Sequence, residues 1–346
     1  MNHGNVIKTI GIVVIAVILL GEVFVYTSST DSYNINASMS GDNVNYSIFI
    51  SGSQSYETVL MESSMRPTDE VYIYYDENYA SACSSETGPV GSVPVDLGRY
   101  LDQLTKNLEY RGGPPVKVLN ASELAEAMAS DSAGTTKSLV VFSGALPDTI
   151  YQGNADDLIF TWLNDGGRLY WAGNLLGKYI SSPGGVMLAG DNYQELFFGA
   201  ECLNTGDDSF VSHDVSDNDL RYDLSLKNNR IKFGVDISEI PSDRGRLAIG
   251  YSENNYSSIV FTQYGGGMIC VLAGDLSRNQ WSDLSQVLAA GISYSTTVID
   301  TADGSLKYGG TSGTFDITGY SGDITLYVYL GGYYPVCGRL FSLPAE

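Results

Sequence analysis

The sequence predicts an α/β fold: a doubly wound, mostly parallel sheet, with a small flanking β module and an N-terminal transmembrane helix. Three observations lead there. From Ser138 to Gly177 the chain reads as strand, loop, helix, glycine stop and second strand, which is one βαβ unit. Strand-like and helix-like stretches alternate between residues 70 and 292, the pattern of a parallel sheet with crossover helices. Residues 7–26 carry only Lys8 and Glu22 as charges, and about twenty apolar residues span a bilayer core.

That apolar segment is read as an uncleaved anchor, because no small-x-small site follows it; the rival is a cleaved signal peptide. Lys8 precedes it and the acidic bulk follows, so residues 1–6 are expected in the cytoplasm and the main body outside, on a single-pass protein of the cell membrane. Residues 33–65 form a β segment in which Val44, Tyr46, Ile48 and Ile50 alternate with polar positions, and Gly41-Asp42 and Ser51-Gly52 punctuate it. Val71 to Tyr75 opens the α/β domain, residues 70–292. Leu97, Leu101, Leu104 and Leu108 mark an amphipathic helix ending at Gly112-Gly113.

Val116 to Leu119 is the next strand, and Asn120 with Glu123 forms a capping box for the helix that follows. Leu139 to Phe142 is a continuous apolar run, as in a strand covered on both faces. Asn154 is the expected cap of the helix carrying Leu158, Ile159, Trp162 and Leu163, with Asp156 and Asp157 in its first turn. Residues 183–246 read as an insertion with one short helix at 193–198. Strands follow at 247–251, 258–263 and 268–273, the last two joined by Gly265-Gly266-Gly267, before a helix through Trp281 and Leu288. Residues 293–346 are β again, with Asp303-Gly304 and Ser321-Gly322 as turns, and are expected to pack with 33–65.

Composition excludes some functions. Acidic residues number 40 against 18 basic, a net charge of -22, and no Lys/Arg run exists to neutralise phosphates, so nucleic acid is not a partner. Sequons stand at Asn36, Asn45, Asn120 and Asn255; Asn120 is discounted for its capping role, leaving Asn36, Asn45 and Asn255 as glycosylation candidates. Cys83, Cys202, Cys270 and Cys337 allow three pairings, and Cys270, inside an apolar strand, reads as a buried thiol. The acids Asp207, Asp208, Asp214, Asp217 and Asp219 lack the spacing of a calcium loop, and Gly265–Gly267 lacks the Lys-Ser/Thr of a phosphate loop. No metal or cofactor is expected.

The stretches Leu139–Gly177 and Tyr264–Ile292 resemble the class I glutamine amidotransferase-like superfamily, with its flavodoxin-like sheet. The nearest branches are the trehalose-utilisation type and the similar domain found beside bacterial and archaeal sugar hydrolases. The resemblance implies a nucleophilic cysteine on a sharp turn after the fourth strand and a histidine after the last. Here the turn reads Ala172-Gly173-Asn174-Leu175-Leu176 and the histidine position reads Gly274-Asp275. A carboxamide cannot attack a carbonyl, and His213 is the one histidine beyond the anchor.

The expected function is accordingly a membrane-anchored, non-catalytic binding protein that recognises an envelope protein, a glycan or a small ligand at the strand ends. Its candidate residues are Tyr75, Asp76, Ser143, Gly144, Gly173, Asn174 and Asp275, with Tyr151, Trp171 and Trp281 able to stack on sugar rings. The alternative is a carboxylate-dependent hydrolase acting on sugars or amides through acids such as Asp76 and Glu77. A third reading is a structural surface protein without a pocket.

Overall fold

The computed structural model describes residues 24–27, 32–63, 68–83, 96–204, 233–241, 244, 246–251, 257–272, 285, 288–289, 292, 296–320, 323–331 and 335–342. The chain opens with strands β1 (Phe24–Thr27), β2 (Ser32–Ser40) and β3 (Asn43–Ser63). It continues through β4 (Val71–Tyr74), α1 (Leu97–Tyr110), β5 (Val116–Leu119), α2 (Ala121–Ser130), β6 (Ser138–Val141), β7 (Leu146–Pro147), α3 (Leu158–Asn164) and β8 (Arg168–Ala172). Then come β9 (Tyr179–Ser182), β10 (Gly185–Leu188), α4 (Tyr193–Phe198), β11 (Leu203–Asn204), β12 (Gly234–Val235), β13 (Arg246–Tyr251), β14 (Ser257–Tyr264) and β15 (Gly267–Leu272). Strands β16 (Thr296–Asp316), β17 (Asp323–Leu330) and β18 (Pro335–Ser342) close it.

A nine-stranded mixed sheet runs β11-β12-β14-β15-β8-β6-β4-β5, with β13 on β14. Only the pairs among β15, β8, β6, β4 and β5 are parallel. From β14 outward every ladder is antiparallel, because the two-residue turn at Gly265-Gly266 leaves no room for a crossover. The six-stranded sheet of β1, β2, β3, β16, β17 and β18 is antiparallel throughout. The expected doubly wound, mostly parallel fold is therefore corrected to mixed and antiparallel sheets in which strand outweighs helix. The β part is also not small, since β3 and β16 are each 21 residues long.

The expected membrane anchor is corrected as well. Residues 1–23 lie outside the described residues, but the end of the segment, Phe24–Thr27, is strand, paired antiparallel with Ser32–Ile35. Among the described residues no helix is long and apolar enough to cross a membrane. The transmembrane helix, the membrane as partner and the cell-membrane localisation drawn from it are withdrawn. Hydropathy marks burial, and it cannot distinguish an apolar helix from an apolar strand within a short run.

Strand β3 holds two cores together. One edge pairs with β16 along its length; the other pairs with β2 over its first half and β17 over its second. Because side chains alternate across a strand, Val44, Tyr46, Ile48, Ile50 and Leu60 enter one cluster with Leu326, Val328 and Phe315. Val59 and Met61, with Tyr327 and Tyr329, point the other way into the core of the α/β unit. Each fully buried aliphatic side chain contributes about 1.5–3 kcal/mol. A turn expected at Asp303-Gly304 is instead mid-strand: the Tyr56 ring lies across Gly304, where an added Cβ would stand 2.8 Å from it, and this cover keeps the glycine in the ladder.

In the α/β unit, Val71–Tyr74 and Ser138–Val141 are buried at every position, as strands packed on both faces must be. Asn120 and Glu123 form both bonds of the capping box. The helix carrying Trp162 is capped by Asp157 rather than Asn154; the Asp157 carboxylate accepts from the Gln152 and Asn154 backbone amides. Buried Asp131 gathers Trp162 Nε1 at 2.9 Å, Tyr72 Oη at 3.2 Å and the Lys137 ammonium. Burial alone would depress the Lys137 pKa, but its bonds to Asp131 and Tyr72 outweigh that and raise it.

Candidate functional site

Three adjacent parallel strands, β4, β6 and β8, end at one edge of the mixed sheet, the edge where open α/β sheets hold ligands. Six of the seven candidate residues follow these ends; Asp275 lies outside the described residues. The bends after β6 and β8 touch. Gly144 and Gly173 have φ of 71° and 114°, and a Cβ on Gly173 would meet Phe142 O at 2.9 Å and Gly144 N at 3.0 Å. Only residues without a side chain fit two backbones so close at positive φ.

A third segment closes the crevice between them. Ser143 O accepts from Ser81 Oγ at 2.8 Å, Ala82 N at 3.0 Å and Cys83 N at 3.2 Å, and Cys83 Sγ donates to Phe142 O at 3.1 Å. The sulfur occupies the space in front of both glycines: it lies 2.3 Å from where a Gly173 Cβ would be and 2.9 Å from that of Gly144. Behind it, Tyr100 is fully buried and stacked obliquely on Phe142, ring centroids 4.6 Å apart. Burial, then the nearby Cys83, raise the Tyr100 pKa well above the usual phenol range.

This corrects the sequence reading at its centre. Asn174 does sit on the bend after β8, 7 % exposed, but a sulfur lodges beside it, brought from the loop after β4. Proximity does not make that thiol reactive. The nucleophile is the thiolate, and a hydrogen bond given to a carbonyl keeps the proton on sulfur. Both histidines, His3 and His213, lie outside the described residues, as do Asp207, Asp208, Asp214, Asp217, Asp219, Trp281 and the sequon at Asn255. The signal that could have found Cys83 is its position: it is the one cysteine in the loop leaving the first parallel strand.

The other candidates serve the scaffold. Asn174 Nδ2 donates to Ala82 O at 3.1 Å, Asn174 Oδ1 accepts from Leu175 N at 2.8 Å, and its carbonyl accepts from Trp171 Nε1. Asp76 Oδ2 accepts from Ala121 N, at the start of α2, at 3.1 Å, and Oδ1 accepts from Asn78 N at 2.9 Å. Its charge thus complements a helix N-terminus. Ser143 Oγ donates to Ala145 O at 2.8 Å. Tyr151 and Trp171 are fully buried, so neither stacks on an external ring. What remains open is the lip, where Tyr75 and Tyr79 are half-buried. Tyr79 Oη donates to Asp148 Oδ1 at 3.1 Å. Burial first and adjacent carboxylates second raise both tyrosines' pKa values. Of the sequons, Asn36 is exposed on β2 and Asn45 half-buried on β3, where its Oδ1 accepts from Thr314 Oγ1 at 2.8 Å.

No family model matches the chain, and no curated protein does. Among solved structures, the chain has weak structural likeness to glycosidases and to a glutamine amidotransferase component of GMP synthase. An exo-β-1,4-mannosidase of an Opitutaceae bacterium is 15% identical over 64% of this chain and 34% of its own, with TM-score 0.38. A β-galactosidase of a Rahnella species is 18% identical over 66% and 31%, also at 0.38. A GMP synthase component from Thermoplasma acidophilum is 10% identical over 65% and 94%, at 0.32. The chain spans about a third of the length of the two glycosidases it matches. Likeness at this level carries no argument about activity, and no family model supports a particular branch of the amidotransferase-like superfamily.

Proposed function

We propose that the protein is a non-catalytic binding protein. Its α/β unit, residues 70–292, recognises a partner protein, a glycan or a small ligand at the lip of the strand ends, and residues 33–65 and 293–346 form a β module beside it. The observation that carries this reading is the self-filled crevice: Ser81, Ala82 and Cys83 are bound to Ser143 O, and both ends of the Asn174 amide are in use. Tyr75 at the rim then offers an aromatic face of the kind that stacks on sugar rings. A trehalose-utilisation-type or sugar-hydrolase-associated origin fits a fold kept while its chemistry is lost.

The alternative is a carboxylate-dependent hydrolase acting on sugars or amides. It needs a titratable acid free to exchange a proton, whereas Asp76 is committed to the cap of α2. The test uses the full chain on a glycan array and on panels of glycosides and amides. Binding lost in Tyr75→Ala with the melting temperature unchanged supports recognition at the lip. Turnover abolished by Asp76→Asn or Cys83→Ser would overturn the non-catalytic reading.

A further inference from the structure

A second opening lies away from the strand ends, where the antiparallel sheet meets the α/β unit. It is a cleft of ≈ 380 Å³, within the range of small-molecule sites, which favour such junctions. Its floor is three strands deep. Asp303 on β16 stands directly opposite Glu57 on β3, and Tyr329 on β17 stands opposite Glu57 from the other side. One step along, Ser305 stands opposite Ser55. Cross-strand partners point to the same face with Cβ atoms about 5 Å apart, so two carboxylates, two hydroxyls and a phenol share one surface. The roof is Ile237 and Ser238, in a turn held by Asp236 Oδ1, which accepts from Ser238 N at 3.0 Å and Ser238 Oγ at 2.6 Å.

We infer that this cleft binds a polyol of the carbohydrate class, gripped through its hydroxyls by Glu57 and Asp303 against the Tyr329 ring. Ionised carboxylates only accept hydrogen bonds, and like charges placed opposite each other on neighbouring strands repel. The complementary ligand is rich in donors and spans both acids, as vicinal hydroxyls do. Ile237 and the tyrosine ring supply the apolar wall against which a sugar ring lays its C–H face. A bare dication is a poorer fit. Calcium takes six to eight oxygens, and among the described residues no group of three His, Cys, Asp or Glu side chains is placed to hold a metal. The site is distinct from the Tyr75 lip and does not depend on the reading of the strand ends.

The experiment is ligand-observed NMR on the full chain with a panel of methyl glycosides, repeated on Ser305→Tyr, which fills the cleft from an exposed strand position, and on Glu57→Gln. Expected are saturable binding by the wild type and at least about a tenfold rise in Kd in each variant, the size of one lost hydrogen bond to a charged group. Should Glu57→Gln fail to fold, Asp303→Asn, at an exposed position, gives the same reading. Failure of every glycoside to bind, or binding unchanged in these variants, overturns the proposal. So does saturable calcium binding lost in Glu57→Gln when no glycoside binds.

Discussion

The strand-end crevice and the cleft at the sheet junction are built from opposite materials. In the crevice, polar groups meet one another: Ser143 O serves three donors, the Asn174 amide is bonded at both ends, and Cys83 Sγ donates to Phe142 O. In the cleft, carboxylates and hydroxyls stand side by side on a sheet face with ≈ 380 Å³ of space before them. A polar group enclosed with its partners contributes to folding; one that borders open space is available for recognition. The position in the fold that usually hosts a ligand has thus become core, and the junction between units has become the opening.

If that contrast is right, the crevice should behave as core under mutation. The largest effect is expected from Gly173→Ala. Its methyl would sit 2.3 Å from the Cys83 sulfur at a φ of 114°, so overpacking and backbone strain combine to a loss of about 3 kcal/mol or more by urea denaturation. Wild-type stability in that variant would mean that the 81–83 segment swings away easily and that the crevice is an open site.

The next effect probes the roof of the cleft. Cys202 O accepts from Asp236 N at 2.8 Å, tying the buried thiol residue to the turn that bears Ile237 and Ser238. Burial first, and the Asp236 carboxylate second, push the Cys202 thiol up to about 12. A pKa raised in the fold means that the native state holds its proton while the unfolded chain releases it. The associated stability is intact below pH ~8.5 and declines toward pH 12, by about 2 kcal/mol at pH 10.5 on the linkage slope. Stability curves at pH 8 and pH 10.5 should converge in Cys202→Ala; equal slopes in both proteins would show that the roof does not depend on that thiol.

A third, smaller loss separates the two members of the bend. Asn174→Ala removes the bond to Ala82 O and exposes no new cavity to solvent, so about 1–2 kcal/mol is expected. Cys83 should then alkylate faster in the native state than it does in the wild type, where it is 5% exposed. Unchanged alkylation would mean that Asn174 does not hold the plug in place.

What was legible beforehand follows from locality. The four-residue run at Leu139, the Asn120–Glu123 box and the leucine spacing of α1 depend on residues within one element, and the structure carries each. Gly304 was misread because its cover, the Tyr56 ring, comes from a strand more than 240 residues earlier. The strand at Phe24–Thr27 was misread for the same kind of reason, since its partner Ser32–Ile35 decides between strand and helix. Cys83 belongs here too. Its loop reveals nothing of the two glycines that receive its sulfur, and the bend at Asn174 therefore looked empty. The cleft was illegible entirely, because Glu57, Asp303 and Tyr329 converge only through the registers of β3, β16 and β17.

The smallest expected effect bears most directly on the cleft. Ser305 is exposed, in a strand whose neighbours on the same face are also polar, so Ser305→Tyr adds bulk where the floor meets open space and displaces no packed atom. Surface changes of this kind fall within about 0.5 kcal/mol, and tyrosine favours strands, so the melting temperature should stay within about 2 °C of the wild type. A drop as large as that of Gly173→Ala would show that the cleft is packed as tightly as the crevice, and the distinction between the two regions would fall with it.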